Sequence, residues 1–333
     1  MDNIPELYKE RNEKTMELIE MAFNFENTTE APFIINNANY FSFGYSKDEI
    51  PEDYYTDPES MYKRQVSQFE NHFDLVDDNY LPYLMPWFGT GVTASGFGIP
   101  ILFPAKMDPT TEPNVYAVDD VSDIKKLKLP DPNKDGLMPK VLEQIDYFQK
   151  NSNIPINFTD NHGPLTTAVQ VIGYERLFYW LNDYPKEIHY LMDLLSDAVI
   201  EWVKFQKEII GEPLDECIGN QGVPVAKGTG VWFSDDDSVL FSPEQYREFV
   251  APYNDKIFKE FGTGILHFCG SANQHIDTFL EMKYLKGINT FSLGDWKTLL
   301  ELKRRTEGKI VIISCDFTPS EYQDYYRKVF EEE

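Results

Sequence analysis

Cysteine is scarce in this chain: Cys217, Cys269 and Cys315 are the only three. That number is too small and too odd to staple a secreted fold, so a reducing compartment is expected. Positive charge is also scarce. Thirty basic residues stand against 56 acidic ones, a formal charge of -26. Such a field repels phosphate backbones and anionic lipid surfaces, so neither nucleic acid nor a membrane is expected as a partner. No uninterrupted apolar run approaches the roughly 20 residues that span a bilayer. The start, Met1-Asp2-Asn3-Ile4-Pro5-Glu6, lacks the basic and apolar regions of a signal peptide, so a cytoplasmic location is expected. Also missing is any Gly-x-Gly-x-x-Gly or Gly-x-x-x-x-Gly-Lys-Ser turn after a strand, which argues against a nucleotide-binding doubly wound sheet.

What is present is ample apolar material. The chain has 333 residues, 42% hydrophobic and 15% aromatic, enough for a large core. Residues 5–24 read as an amphipathic opening helix, and Ala31 to Asn36 as a buried strand delivering Asn36, Asn37, Asn39 and Tyr40 into a loop. Phe73 to Asp77 reads as a second strand. From about residue 90 to 130 the texture turns to Gly, Pro and Thr with short alternating runs, the pattern of a β-hairpin insertion within a single domain spanning 1–333. Beyond it the chain alternates strand and helix signals. Ile154 to Phe158 precedes helices at 164–183 and 186–210, and Gly230 to Phe233 precedes a helix opened by Ser242-Pro243. Gly264 to Cys269, Ile288 to Leu293 and Lys309 to Ser314 each precede a helix, the last at 319–331. Short loops between βα units predict a parallel sheet, and the expected fold is a (β/α)8 TIM-type barrel. Only about seven strands are legible, one short of the eight that close such a ring. Either closure is incomplete at the last strand or an early strand is missed.

In a barrel, reactive groups sit at the C-terminal ends of strands. Polar residues recur there: Asn36, Asp160 to His162, Ser234 to Asp237, His267 with Cys269, Asp295, and Cys315 with Asp316. His267 and Cys269 are two apart on a strand and share a face, with Cys315 ending a later strand. Two sulfurs and an imidazole suit zinc, and three protein ligands leave a position open. Free cysteines are also habitually buried as small apolar residues, and Cys217 is read that way. His72, His189 and His275 are read as solvated.

Three stretches, Asn161-His162-Gly163-Pro164-Leu165-Thr166-Thr167-Ala168, Ser234 to Phe249 with Pro252-Tyr253, and His267-Phe268-Cys269-Gly270, resemble the uroporphyrinogen decarboxylase superfamily in order and spacing. The likeness extends over about residues 30 to 325 and includes Asp119-Asp120-Val121 leading to Leu129-Pro130-Asp131-Pro132. The Arg-rich N-terminal signature of the decarboxylases is absent, since residues 31–44 contain no Arg. The chain is more similar to the zinc methyltransferases of that superfamily, whose His-x-Cys and later Cys are matched by His267, Cys269 and Cys315. Cys315 comes earlier than the last cysteine of the coenzyme M branch, closer to the spacing in the O-demethylase methyltransferases.

The resemblance implies a methyltransferase that takes a methyl group from a small methoxylated or methylated compound (O-demethylation) and passes it to the Co(I) corrinoid, a cobalamin, of a partner protein. Zn2+ would be held by His267, Cys269 and Cys315, with Asp295, or else Asp236 or Asp237, as the oxygen ligand. Catalytic roles fall to His267, Asp236 and Asp237, and substrate binding to Asn39, Tyr40 and His162. Tyr40, Phe41, Trp87 and Phe88 are expected as walls for a flat ring. The chain has no Asp-x-His-x-x-Gly cobalamin-binding stretch, hence the corrinoid-binding partner. Methylcobamide:thiol transfer of the coenzyme M type and a decarboxylase are the alternatives. A sulfonate acceptor would call for a nearby cation, for which Lys106 and Lys227 are the candidates.

Overall fold

Prolines and short polar caps decide where the elements begin. In the computed structural model, residues 9–26, 31–35, 50–220, 222–291 and 295–315 are described. Helix α1, Lys9–Phe23, buries Thr15, Ile19 and Phe23, a stripe at helical spacing. Helix α2, Pro58–Leu75, starts with Asp57, whose carboxylate accepts from the Glu59 N–H, and with Pro58 in its first turn. The strand expected at 73–77 is therefore the last turn of a helix, followed by Val76 in extended conformation. The buried positions Met61, Val66 and Phe69 show the helical period that the short Phe73 to Asp77 run conceals.

Helix α3, Val92–Gly96, leads to β1, Ile101–Leu102, paired antiparallel with β2, Thr110–Thr111. The hairpin is thus much shorter than the 90–130 stretch suggests; the rest is turn and a 3-10 helix at Val121–Lys126. Helix α4, Met138–Asn151, follows. The helical signals at 164–183 and 186–210 resolve into α5, Pro164–Ile172, α6, Tyr174–Asp183, and α7, Pro185–Ile210, broken at Gly173 and Tyr184. Strands β3, Gly219–Asn220, and β4, Val223–Pro224, form a tight antiparallel pair.

The most regular part comes next. Strand β5, Val231–Ser234, leads to α8, Pro243–Phe249, and α9, Ala251–Glu260. Strand β6, Gly264–Cys269, leads to α10, Ile276–Glu281. Strand β7, Leu285–Phe291, leads to α11, Trp296–Thr306, and then β8, Val311–Cys315. The expected Ser242 cap is a complete capping box with Gln245. All four strands run parallel in the order β5-β6-β7-β8, with rows of paired residues such as Ser234, His267, Asn289 and Ile313.

Parallel bridges carry this arc backward. Ser234 pairs with His162, and Ile156 of the same segment pairs with Leu84. The run around Leu84 is the early strand the sequence hid. Its prolines, Pro82 and Pro86, and Pro155 opposite, lack N–H donors, so few ladder bonds form. Two remain, from the Leu84 N–H to the Pro155 carbonyl and from the Asn157 N–H to the Leu84 carbonyl, each 2.8 Å. The architecture is a (β/α) barrel of TIM type, though no closed ring of strands is traced among the described residues. Residues 31–35 form no strand and alternate between exposed and half-buried, not buried as expected. Asn36, Asn37, Asn39, Tyr40, Phe41, Asp316 and the helix expected at 319–331 lie outside the described residues. Among the described residues no helix is long and apolar enough to cross a membrane.

A buried hub fixes the N-terminal half. The Asp78 carboxylate accepts from the Ile35 N–H at 2.7 Å, the Tyr80 N–H at 3.0 Å and Arg11 at 3.2 Å, and meets His72 Nε2 at 2.9 Å. His72 is buried here and not solvated as expected; His275 is buried too, its Nε2 2.8 Å from the Ser238 carbonyl. Each imidazole has found an internal partner, which makes its burial tolerable.

Candidate metal centre at the barrel mouth

Strand alternation sorts the side chains of β6. Phe268 faces the helix layer and stacks on Phe279 of α10, so His267 and Cys269 face the other way, into the barrel. The 3-10 helix Asp236–Leu240 after β5 brings the Asp236 carboxylate over the end of β6, where it accepts the Cys269 N–H at 2.7 Å. His267 Nε2 then stands 3.5 Å from Cys269 Sγ and 3.5 Å from Asp236 Oδ1. These three ligand atoms lie within 4.8 Å of one another.

The proton positions follow from Asn289, which neighbours His267 in register on β7. Its Nδ2 donates to the Ile313 carbonyl at 2.9 Å, an oxygen that can only accept, and to Cys315 Sγ at 3.2 Å. Its Oδ1 therefore faces His267 Nδ1, which must carry the hydrogen. The lone pair of Nε2 then points at a thiol sulfur and a carboxylate oxygen. Three electron-rich atoms converge with only the thiol proton between them. Partial desolvation, helped by the charge of Asp236 and by Cys315, pushes the Cys269 thiol up to about 12.

This donor set fits a zinc ion. Tetrahedral zinc with ordinary bond lengths separates a sulfur and a nitrogen ligand by about 3.6 Å and a nitrogen and an oxygen ligand by about 3.4 Å. Both observed separations are 3.5 Å. Asn289 supplies the outer hydrogen bond that metal-ligating histidines habitually make. Cys315 occupies the same level of the sheet, with Phe291 between it and Cys269.

The remaining expected residues are placed as follows. Asp295 is the N-cap of α11, its carboxylate accepting from the Thr298 N–H at 3.2 Å and hydroxyl at 2.6 Å, and it is not part of the cluster. Asp237 turns away from His267 and accepts from the Tyr174 hydroxyl. His162 is buried, its Nδ1 3.1 Å from Gln170. Trp87 and Phe88 are buried, and Trp87 Nε1 donates to Asp108 beside the hairpin at 2.9 Å. Asp235, the first of the acidic run, is internal. It accepts from the Thr166 N–H at 2.9 Å, which crosses to the first turn of α5, and from Asn254 at 3.0 Å. Burial pushes its carboxyl up to about 7. Gly163 allows this approach, because a Cβ there would stand 2.8 Å from the Asp235 carboxylate. Cys217 is buried, as its structural reading requires.

Sequence reading missed Asn289 as a site residue. The available signal was a lone amide in the middle of an apolar strand, between Ile288 and Thr290. Asp160 was visible only as one of several polar residues at a strand end.

Comparison with known proteins adds relatives to this geometry. A curated relative, the methylated-thiol--coenzyme M methyltransferase of Methanosarcina mazei, is 29% identical over 192 residues, covering 55% of this chain and 44% of the relative. The chain thus matches less than half of that protein's length. A solved methyltransferase from Methanosarcina mazei shares the fold, with a TM-score of 0.69, 17% identity, and coverage of 95% of this chain and 89% of that one. The family described as uroporphyrinogen decarboxylase (URO-D) matches residues 17–209 and 225–313, and the chain belongs to that family.

Proposed function

We propose that this chain is a zinc-dependent methyltransferase that moves a methyl group from a small methylated compound to the corrinoid of a separate partner protein. The observation that carries the reading is the convergence of His267 Nε2, Cys269 Sγ and Asp236 Oδ1 at zinc-like separations, with Cys315 two strands away at the same level. His267, Cys269 and Cys315 would hold the ion, with Asp236, one of the three aspartates the sequence offered as oxygen ligand, beside them. Bound there, zinc supplies Lewis acidity to the oxygen or sulfur that parts from, or receives, the methyl group. The chain's own residues prepare the site. Asn289 fixes the imidazole tautomer, and the Cys269 N–H orients the Asp236 carboxylate.

The direction and the methyl carrier are open to a second reading. The methylated-thiol relative favours a methyl thioether or thiol over an aryl methyl ether. The test is metal content and methyl transfer in the same preparation. Wild type is expected to hold about one zinc per chain, and Cys269→Ala, Cys315→Ala and His267→Ala to lose it. A reduced corrinoid protein added with a methoxylated aromatic, and separately with a methyl thioether, is expected to become methyl-Co(III) with one of them. Full zinc retention by all three variants would end the metal assignment, and methyl loss at equal rates without a corrinoid would end the partner assignment.

A further inference from the structure

The buried carboxylates of this chain have distinct hydrogen-bonding arrangements. Asp78 uses both oxygens in its hub, Asp235 uses both on Thr166 and Asn254, and Glu212 meets the buried Lys207 at 2.7 Å. Asp160 differs. It is 2% exposed, its Oδ1 accepts from Asn220 Nδ2 at 2.8 Å, and its Oδ2 has no partner. Among the described residues it is the one carboxylate with a buried oxygen left in this state. Asn220, also 2% exposed, keeps its own Oδ1 unpartnered. Two adjacent strand ends thus contribute two buried oxygens to which no donor is directed.

Their position is informative. Asp160 ends the segment that bridges to β5, and it lies within electrostatic reach of His162, His267 and Asp236. A buried acceptor without a donor is costly, and in a native fold it calls for an explanation such as a ligand that completes it.

We propose that Asp160 and Asn220 form a substrate-positioning subsite that takes an N–H or O–H donor on the molecule bound at the His267 and Cys269 site. This rests on the methyltransferase reading for what that molecule does, but not for how it is held. The required ligand is a neutral or cationic methylated compound with a donor at its far end. An anionic end is disfavoured, since it would bring a third acceptor to two that already lack donors, in a chain of charge -26.

The test uses methyl thioethers of one chain length as probes against the zinc-loaded full chain, with calorimetric binding as the readout. 3-(Methylthio)propanol and 3-(methylthio)propylamine carry a donor, butyl methyl sulfide carries none, and 3-(methylthio)propanoate is anionic. Wild type is expected to bind the donor-bearing probes about tenfold or more tightly than butyl methyl sulfide, and the anion least well. Asp160→Asn turns the orphan acceptor into a donor, and the preference is expected to fall to within about twofold. Asn220→Ala, which leaves Asp160 in place, is expected to weaken it as well. Stability separates positioning from architecture. An amide at 160 can face the Asn220 amide, each donating one N–H to the other's oxygen, so Asp160→Asn is expected to raise the unfolding midpoint by about 2 °C, as when a functional strain is relieved.

Three results would overturn the proposal: no preference for the donor-bearing probes in wild type, absence of binding included; a preference that survives Asp160→Asn; or a drop of several degrees in that variant's midpoint. Zinc content and corrinoid methylation are read on the same samples. If wild type fails those while the probe preference holds, the methyltransferase reading has failed and the subsite has not.

Discussion

Replacing Asn289 by leucine keeps much of the side-chain volume and removes a bridge with two ends. On one side the buried Nδ1–H of His267 loses its acceptor, Asn289 Oδ1. An unsatisfied buried donor costs about 1–3 kcal/mol, and the ring is freed to take the other tautomer, which would put a proton on Nε2. On the other side Cys315 Sγ loses a donor at 3.2 Å that favours its thiolate. Loss of such an outer partner typically weakens a metal site by 10- to 100-fold, or about 1.4–2.7 kcal/mol. The assay is competition for zinc against a chromophoric chelator at neutral pH, with circular dichroism to show that the barrel persists. Asn289→Asp serves as the control: it restores an acceptor for His267 but cannot donate to Ile313 or Cys315, so its affinity should fall between the two. If Asn289→Leu holds zinc within about twofold of wild type, then Asn289 does not organise these ligands and the tautomer argument is wrong.

Asp295→Ala removes the N-cap of α11 and should cost about 1 kcal/mol in urea unfolding while leaving zinc content unchanged; zinc loss would return Asp295 to the ligand set. The Asp78 hub makes a pH prediction. Burial would raise the Asp78 carboxyl, but His72 and the Tyr80 and Ile35 N–H groups outweigh it and hold it below the usual carboxylate value. A depressed carboxyl contributes stability that is present above the unfolded value near 3.9 and is lost as pH falls through the folded one. Asp78→Ala should therefore cost about 3 kcal/mol at neutral pH, with the gap to wild type narrowing below about pH 4; a gap that stays constant into that range would refute the assignment.

How much of this was readable in advance depended on whether the signal was local. Strand β6 was read with its bounds correct, because a short, mostly apolar run ending at Cys269 needs no tertiary information. The α8 start was readable for the same reason, since a Ser-Pro cap acts within four residues. The strand through Leu84 was not, because its prolines remove the very donors that define a ladder. His267 and Cys269 could be paired by their spacing along one strand. Asn289 could not be joined to them, because the register between β6 and β7 is a property of the assembled sheet. Nor could the sequence choose among Asp235, Asp236 and Asp237. Consecutive carboxylates point in different directions, and only the fold sends one to Asn254, one to the Cys269 N–H and one to Tyr174.

The prolines at 82, 86 and 155 also bear on how this chain avoids its neighbours during synthesis. A half-made barrel exposes strand edges, and an edge with regularly spaced free amides recruits strands from other molecules. Around Leu84 that template is interrupted at Pro82 and again at Pro86, so a foreign strand finds too few donors to zip along it. The same interruption leaves the Leu84 and Asn157 amides guarded by isolated bonds, whereas those of β6 and β7 sit inside a four-stranded ladder. Deuterium should therefore enter the two halves of one barrel at different rates, the proline-bearing half first.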